Sequence, residues 1–212
     1  MQCSRGYFKE VPALAVAAIA MLAPVVLQAQ GRRLPEREDP VLRADCRLAA
    51  QAIETGRPSP HWGWAMETIS ACDETAGDAL AKLWRSVPTD SIVLMRLLRS
   101  AREIKDQRVY VAATTVARDA SAAWWPRATA LRLLAAYVDP GLRFHTEDLR
   151  PGPDSAGLVI RTVSHWVQND GSQPLAAGAI PEIQALLAEL AASDPNPDVR
   201  YTAQHLHFFI KK

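Results

Sequence analysis

The side chains best suited to covalent or metal chemistry in this 212-residue sequence are three cysteines and five histidines: Cys3, Cys46, Cys72, His61, His145, His165, His205 and His207. Their spacing matches none of the common catalytic patterns. The sequence contains no His-Glu-x-x-His, Cys-x-x-Cys, Gly-x-Ser-x-Gly or glycine-rich phosphate loop. His205 and His207 stand two apart in a helical stretch and point away from each other, so sharing a metal needs a third element. His145 and His165 bracket an irregular segment, with Glu147, Asp148 and Asp170 nearby. Brought together, these groups make a metal site or an acid/base pair; facing water, they are loop residues, the simpler reading in the absence of ligand spacing. Ser164 beside His165 says nothing, because a nucleophile and its base meet through space. The sequence therefore assigns no catalytic residue, no metal ligand and no cofactor.

Cys46 and Cys72 carry a sharper expectation. Ser59, the centre of a turn between two helical stretches, lies midway between them in the sequence. Antiparallel helices of equal rise bring such positions to the same height, which fits a disulfide closing the loop from Cys46 to Cys72. Loop-closure entropy makes that bridge worth about 3.5 kcal/mol. The alternative is a pair of buried free thiols. A catalytic thiol needs a cationic or histidine neighbour that the sequence does not identify.

An oxidising destination is suggested by the segment from Met1 to Ala29. Arg5 and Lys9 precede an apolar run from Val11 to Leu27, and the run ends at Leu27-Gln28-Ala29, before a cut at Gln30. This is the layout of a secretory signal peptide, and it places the chain in the periplasm or outside the cell. An uncleaved anchor is the competing reading, but an apolar run confined to Val11–Leu27 and interrupted by Pro24 is short for a bilayer. Removing Arg5, Lys9 and Glu10 with the leader leaves 22 basic and 22 acidic side chains. A balanced chain without a basic patch has no field to hold a phosphate backbone, which argues against nucleic acid. No second apolar run is long enough to span a membrane.

Residues 30–40 read as a polar linker, extended or disordered. From 41 to 212 the apolar residues recur at helical spacing: Leu42, Cys46, Ala49 and Ile53, then Trp62, Ala65, Met66, Ile69 and Cys72. Thr75 with Asp78 reads as a capping box, Thr89-Asp90-Ser91 caps a fourth helix, Asp106 precedes a fifth, and Trp124-Trp125-Pro126 opens a sixth. Between Asp139 and Gly178 glycines and prolines break the pattern; within this insert, 158–164 suits either a strand or a helix, with a lean to helix. Two helices after Pro181 bring the total to about nine. Successive starts pair into units of roughly 31 to 36 residues, the length of a two-helix repeat.

The last stretch gives the repeat its clearest form. Asp194-Pro195-Asn196-Pro197 turns into a helix with Asp198 as cap and Val199, Ala203 and Leu206 on one face, Arg200 following the Val. It resembles the second helix of a HEAT repeat, and Val109, Ala113 and Val116 reproduce the spacing more weakly. The resemblance implies an all-α superhelix of about four stacked antiparallel hairpins. It also implies a structural role for Arg200, pairing with the acid of a neighbouring turn.

Six tryptophans stand out, two of them in each of the pairs Trp62/Trp64 and Trp124/Trp125, whose neighbouring rings cannot face the same way. One ring of each pair either lines an exposed groove or fills a gap between helices. The leading functional expectation is a non-catalytic module that holds a protein or peptide on its concave face, with the tryptophans, His145 and His165 as contacts. A ligand binder with a tryptophan-lined pocket, and a lyase-like enzyme using His145, Glu147, Asp148 and His165, are the alternatives.

Overall fold

Capping side chains fix where most of the helices begin. Asp39 Oδ1 accepts from the N–H groups of Val41 (2.9 Å) and Leu42 (3.1 Å), and Asp90 Oδ1 from those of Ile92 (2.8 Å) and Val93 (3.0 Å). Asp106 Oδ1 accepts from Arg108 N–H (2.9 Å) in the same way. The computed structural model describes residues 36–54, 60–143, 160–161 and 169–210. Among these residues the chain is all-α, with eight helices. They are α1 (Pro40–Ile53), α2 (Trp62–Ile69), α3 (Glu74–Arg85), α4 (Ser91–Glu103), α5 (Gln107–Arg118), α6 (Trp124–Val138), α7 (Ala179–Ser193) and α8 (Pro197–Ile210).

The apolar stripe of each helix enters one continuous core. In α1 it is Leu42, Cys46, Ala49 and Ile53; in α8 it is Val199, Ala203, Leu206 and Ile210, joined by Thr202. Burying each larger aliphatic side chain is worth roughly 1.5–3 kcal/mol, so shared burial holds helices that are individually too short to persist. Contacts follow a rule: α1 packs on α2 and α3, α2 on α4, α3 on α5, and α4 on α6. Farther along, α5 packs on α6, α6 on α7 and α8, and α7 on α8. Tyr110 donates to Glu182 (2.6 Å) and Arg118 to Glu189 (3.3 Å), tying α5 to α7 as well.

Helix α6 is the exception to amphipathic patterning. Leu131, Leu133, Leu134 and Tyr137 are buried, and so are Arg127, Thr129 and Arg132 on its other sides. A helix touched by α4, α5, α7 and α8 has no solvent face to keep polar. Its buried Tyr137 hydroxyl donates to the carbonyls of Ala101 (3.0 Å) and Ile104 (2.9 Å), and burial pushes the phenol far above its usual range.

Four two-residue strands accompany the helices. β1 (Ile104–Lys105) runs parallel to β4 (Asn169–Asp170), and β2 (Leu142–Arg143) antiparallel to β3 (Ile160–Arg161), with Leu142 opposite Arg161. The break in helical pattern expected over 139–178 coincides with the gap between α6 and α7. At 160–161 the lean to helix is overturned: these residues pair with β2, as β-branched residues flanking Gly and Pro favour. The rest of 158–164 lies outside the described residues, which hold eight helices where about nine were expected over the chain.

Two cap assignments also change. α3 begins at Glu74, not after Thr75; Asp73 Oδ1 accepts from Glu74 N–H (2.9 Å), while Asp78 instead pairs with Lys82 (2.9 Å) along the helix. α8 is capped by Asn196, whose Oδ1 accepts from Asp198 N–H (2.9 Å) and Val199 N–H (3.2 Å). Pro197 then occupies the first turn, where a missing N–H costs nothing.

Candidate functional site

Three places in the described structure gather unusual chemistry. The first centres on Asp106, which is fully buried. Arg108 reaches its carboxylate through Nε (2.9 Å) and Nη2 (2.9 Å), and Gln173 N–H adds a contact at 3.3 Å. Burial alone would push the Asp106 carboxyl up; the Arg108 guanidinium and backbone N–H, with the Gln173 N–H, outweigh it and hold the carboxyl below its usual value. Arg108 Nη2 also donates to Ser172 Oγ (2.8 Å) and to the Glu74 carbonyl (3.3 Å).

Glycines make room for this cluster. A Cβ at Gly77 would overlap Arg108 Nη2 and the Asp106 carboxylate, and one at Gly171 would sit 2.6 Å from Asp106 Oδ2. Around them the backbone is stitched together: Gly171 N–H to the Lys105 carbonyl (3.1 Å), Gln107 N–H to the Gln173 carbonyl (2.7 Å) and Ser172 N–H to the Asp73 carbonyl (3.2 Å). With Ala176 N–H on Gln107 Oε1 (2.9 Å), residues 169–176 are clamped to α3, β1 and α5. Every polar atom named here has a partner within the cluster, so its chemistry is that of a fastener for the returning end of the insert.

The second place is the disulfide. Cys46 and Cys72 are joined, with Cα atoms 5.9 Å apart, and neither residue is exposed. Beside it lies Glu36, only 2 % exposed although it falls in the segment expected to be a polar linker. Its Oε2 accepts from the N–H groups of Glu74 (3.0 Å) and Thr75 (3.0 Å), and its Oε1 from the Thr75 hydroxyl. The carboxylate thus serves as a cap for α3 supplied from 38 residues away in sequence. A Glu36 carboxylate oxygen and the two sulfurs all lie within 4.8 Å of one another.

The third is a set of outward apolar side chains. Trp64 on α2 (47 % exposed), Ile92 on α4 (53 %), and Tyr201 (44 %) and Phe208 (57 %) on α8 are exposed. At roughly 100° per residue each stands about half a turn from its helix's core stripe. On α8, His205 stacks with Tyr201 at 6.2 Å between ring centres and meets Phe209 edge-on at 4.9 Å, extending the aromatic strip along the helix.

The residues singled out in the sequence separate accordingly. Trp62 is core, at 2 % exposure, so Trp64 alone represents that pair at the surface. Trp124 and Trp125 are both half-buried and pack against the core. Cys46 and Cys72 meet as expected. Val199, Ala203 and Leu206 are core, and Asp198 sits in the first turn of α8. Among the described residues Arg200 pairs with no acid side chain: its Nη1 donates to the carbonyls of Asp194 (2.5 Å) and Pro195 (3.3 Å), closing the turn before its own helix. His145, Glu147, Asp148 and His165, like the leader over 1–29 and the linker residues 30–35, lie outside the described residues.

One pair escaped the sequence reading. Arg127 on α6 and Asp194 before α8 form a buried, bidentate ion pair, the guanidinium also donating through Nε to the Ala117 carbonyl (3.0 Å). The available signal was an arginine in the first turn of an Ala- and Leu-rich helix, with an Asp-Pro turn elsewhere to receive it. Among the described residues no helix is long and apolar enough to cross a membrane. Comparison of the chain with protein families, with curated proteins and with solved structures found no match.

Proposed function

We propose that the protein is an exported, non-catalytic helical-repeat scaffold of HEAT-like type that holds a protein or peptide partner on the surface of its second row of helices. The carrying observation is the order of contacts. Helices α1, α3 and α5 adjoin in succession, and so do α2, α4, α6 and α8. Side-chain bonds carry the first row on from α5 to α7. Two parallel rows built from neighbours-but-one are what stacked helical hairpins produce, whereas a closed bundle brings distant helices together.

Such a stack offers a long surface on each side, and the second row carries Trp64, Ile92, Tyr201 and Phe208 outward. Aromatic and aliphatic anchors of this kind supply most of the energy of protein interfaces. The Cys46–Cys72 bridge and the leader-like start of the sequence support export.

The test is a comparison of captures from an envelope extract. Immobilised wild-type protein should retain a protein that a Trp64→Ser, Ile92→Ser, Phe208→Ser variant, shown by circular dichroism to be folded, does not retain. An identical set of retained proteins from both would refute the surface assignment.

A further inference from the structure

We propose that, once the Cys46–Cys72 bond is reduced, Cys46, Cys72 and Glu36 form a binding site for a thiophilic divalent cation of the Zn2+ type. The proposal is independent of any partner. The three donors come from three separate segments: Glu36 ahead of α1, Cys46 within α1, and Cys72 between α2 and α3. All three residues are buried, and their donor atoms fall within 4.8 Å of one another. Tetrahedral Zn2+ with bonds of about 2.3 Å to sulfur and about 2.0–2.2 Å to oxygen needs donors spaced by roughly 3.6–3.8 Å, wider than a bonded pair of sulfurs. Cutting the covalent bond lets the sulfurs separate to this spacing by rotation about their Cα–Cβ bonds.

The carboxylate is prepared for the role. Oε2 takes two hydrogen bonds and Oε1 takes one, from the Thr75 hydroxyl, leaving Oε1 a lone pair for a cation. Those same bonds fix its orientation, as supporting contacts do in metal sites. Two thiolates and one carboxylate together match the donor softness and charge that select Zn2+ over Mg2+ or Ca2+. Without a metal, the reduced state leaves two thiols against a fixed carboxylate in a closed space.

The chemistry balances with a phosphine as reductant. The phosphine leaves as its oxide, taking the oxygen of one water, whose two hydrogens protonate the sulfurs. The cation then displaces both protons as it forms its two metal–sulfur bonds. Bridge and metal centre are mutually exclusive, so the site reports the redox state of the chain.

Full-length protein carrying Cys3→Ser, which removes the competing thiol, is reduced with a phosphine under anaerobic conditions and titrated with Co2+ as a spectroscopic probe. Thiolate-to-cobalt charge-transfer absorption should rise to one Co2+ per chain and vanish on adding Zn2+; the oxidised protein should show none. Glu36→Gln should bind Co2+ at least about tenfold more weakly. Zn2+ should raise the Tm of the reduced protein, or restore its helical circular dichroism if reduction unfolds it, and leave the oxidised protein unchanged. Absence of charge-transfer absorption, equal affinity in Glu36→Gln, or no effect of Zn2+ on the reduced chain would each overturn the proposal.

Discussion

Arg127 and Asp194 show how much one charged pair weighs when neither member sees water. Both side chains are 2 % exposed, so removing one partner strands the other's charge. Asp194→Asn is expected to lower the unfolding free energy by about 3–5 kcal/mol in urea titration. The double change Arg127→Met, Asp194→Leu should cost less than that single change, because no buried charge remains; an equal or greater loss would show that the pair is not the source. Asp106 poses the acid-side question. Its folded carboxyl lies below the ordinary value near 3.9, so it adds stability that is full above about pH 4 and is lost as pH falls through the lower folded value. In Asp106→Asn this part of the acid dependence should be missing from unfolding curves below about pH 4, and stability at pH 7 should fall. A variant as stable as the wild type at pH 7, with the same acid limb, would remove Asp106 from the fastener. Neither the Arg127–Asp194 pair nor the Asp106 fastener was readable from neighbours in sequence: Asp106 stood only as the residue before a helix, and its contacts with Gly77 and Gln173 exist only once α3 and the returning insert meet.

At the scale of helices, local chemistry was largely sufficient. Asp90 and Asp106 begin α4 and α5 where their side chains reach the next turn, and the stripes of α1, α2 and α8 were visible as spacing. Ser59 as the turn centre placed Cys46 and Cys72 level, and they are joined. Misreadings arose where a cap has a competitor. At α8 both Asn196 and Asp198 are capping types, and the turn geometry selected Asn196. Asn196→Ala should therefore cost about 1 kcal/mol and Asp198→Ala only a few tenths, the helix-dipole share, as measured by thermal unfolding. The reverse order would reinstate Asp198. At α3 the cap is distant: Glu36 lies 38 residues from Glu74, a relation that no periodicity encodes. In helix α6 the spacing of Ala128, Leu131, Leu134 and Tyr137 was legible, but its surroundings and not its sequence decide that Arg127 and Arg132 are buried as well.

For the molecule as a whole, the repeat length of roughly 31 to 36 residues pointed to stacking, and the sequence of contacts supports two rows of helices. The insert over 139–178 lies between α6 and α7 in the chain, and its described parts are tied back, 142–143 to 160–161 and 169–176 to the Asp106 fastener. Row order makes a prediction about distance. In the proposed stack, α2 and α8 stand three steps apart in the second row, and at about 8–10 Å per step their axes should be roughly 24–30 Å apart. The measurement is double electron–electron resonance between spin labels at residues 64 and 208, carried on ketone-bearing amino acids so that the Cys46–Cys72 bridge stays intact. Stacked rows predict a single distribution centred at or above about 25 Å. A dominant population near about 10–15 Å, the separation of adjoining helices with their labels, would mean that α2 and α8 are neighbours and that the helices close into a bundle.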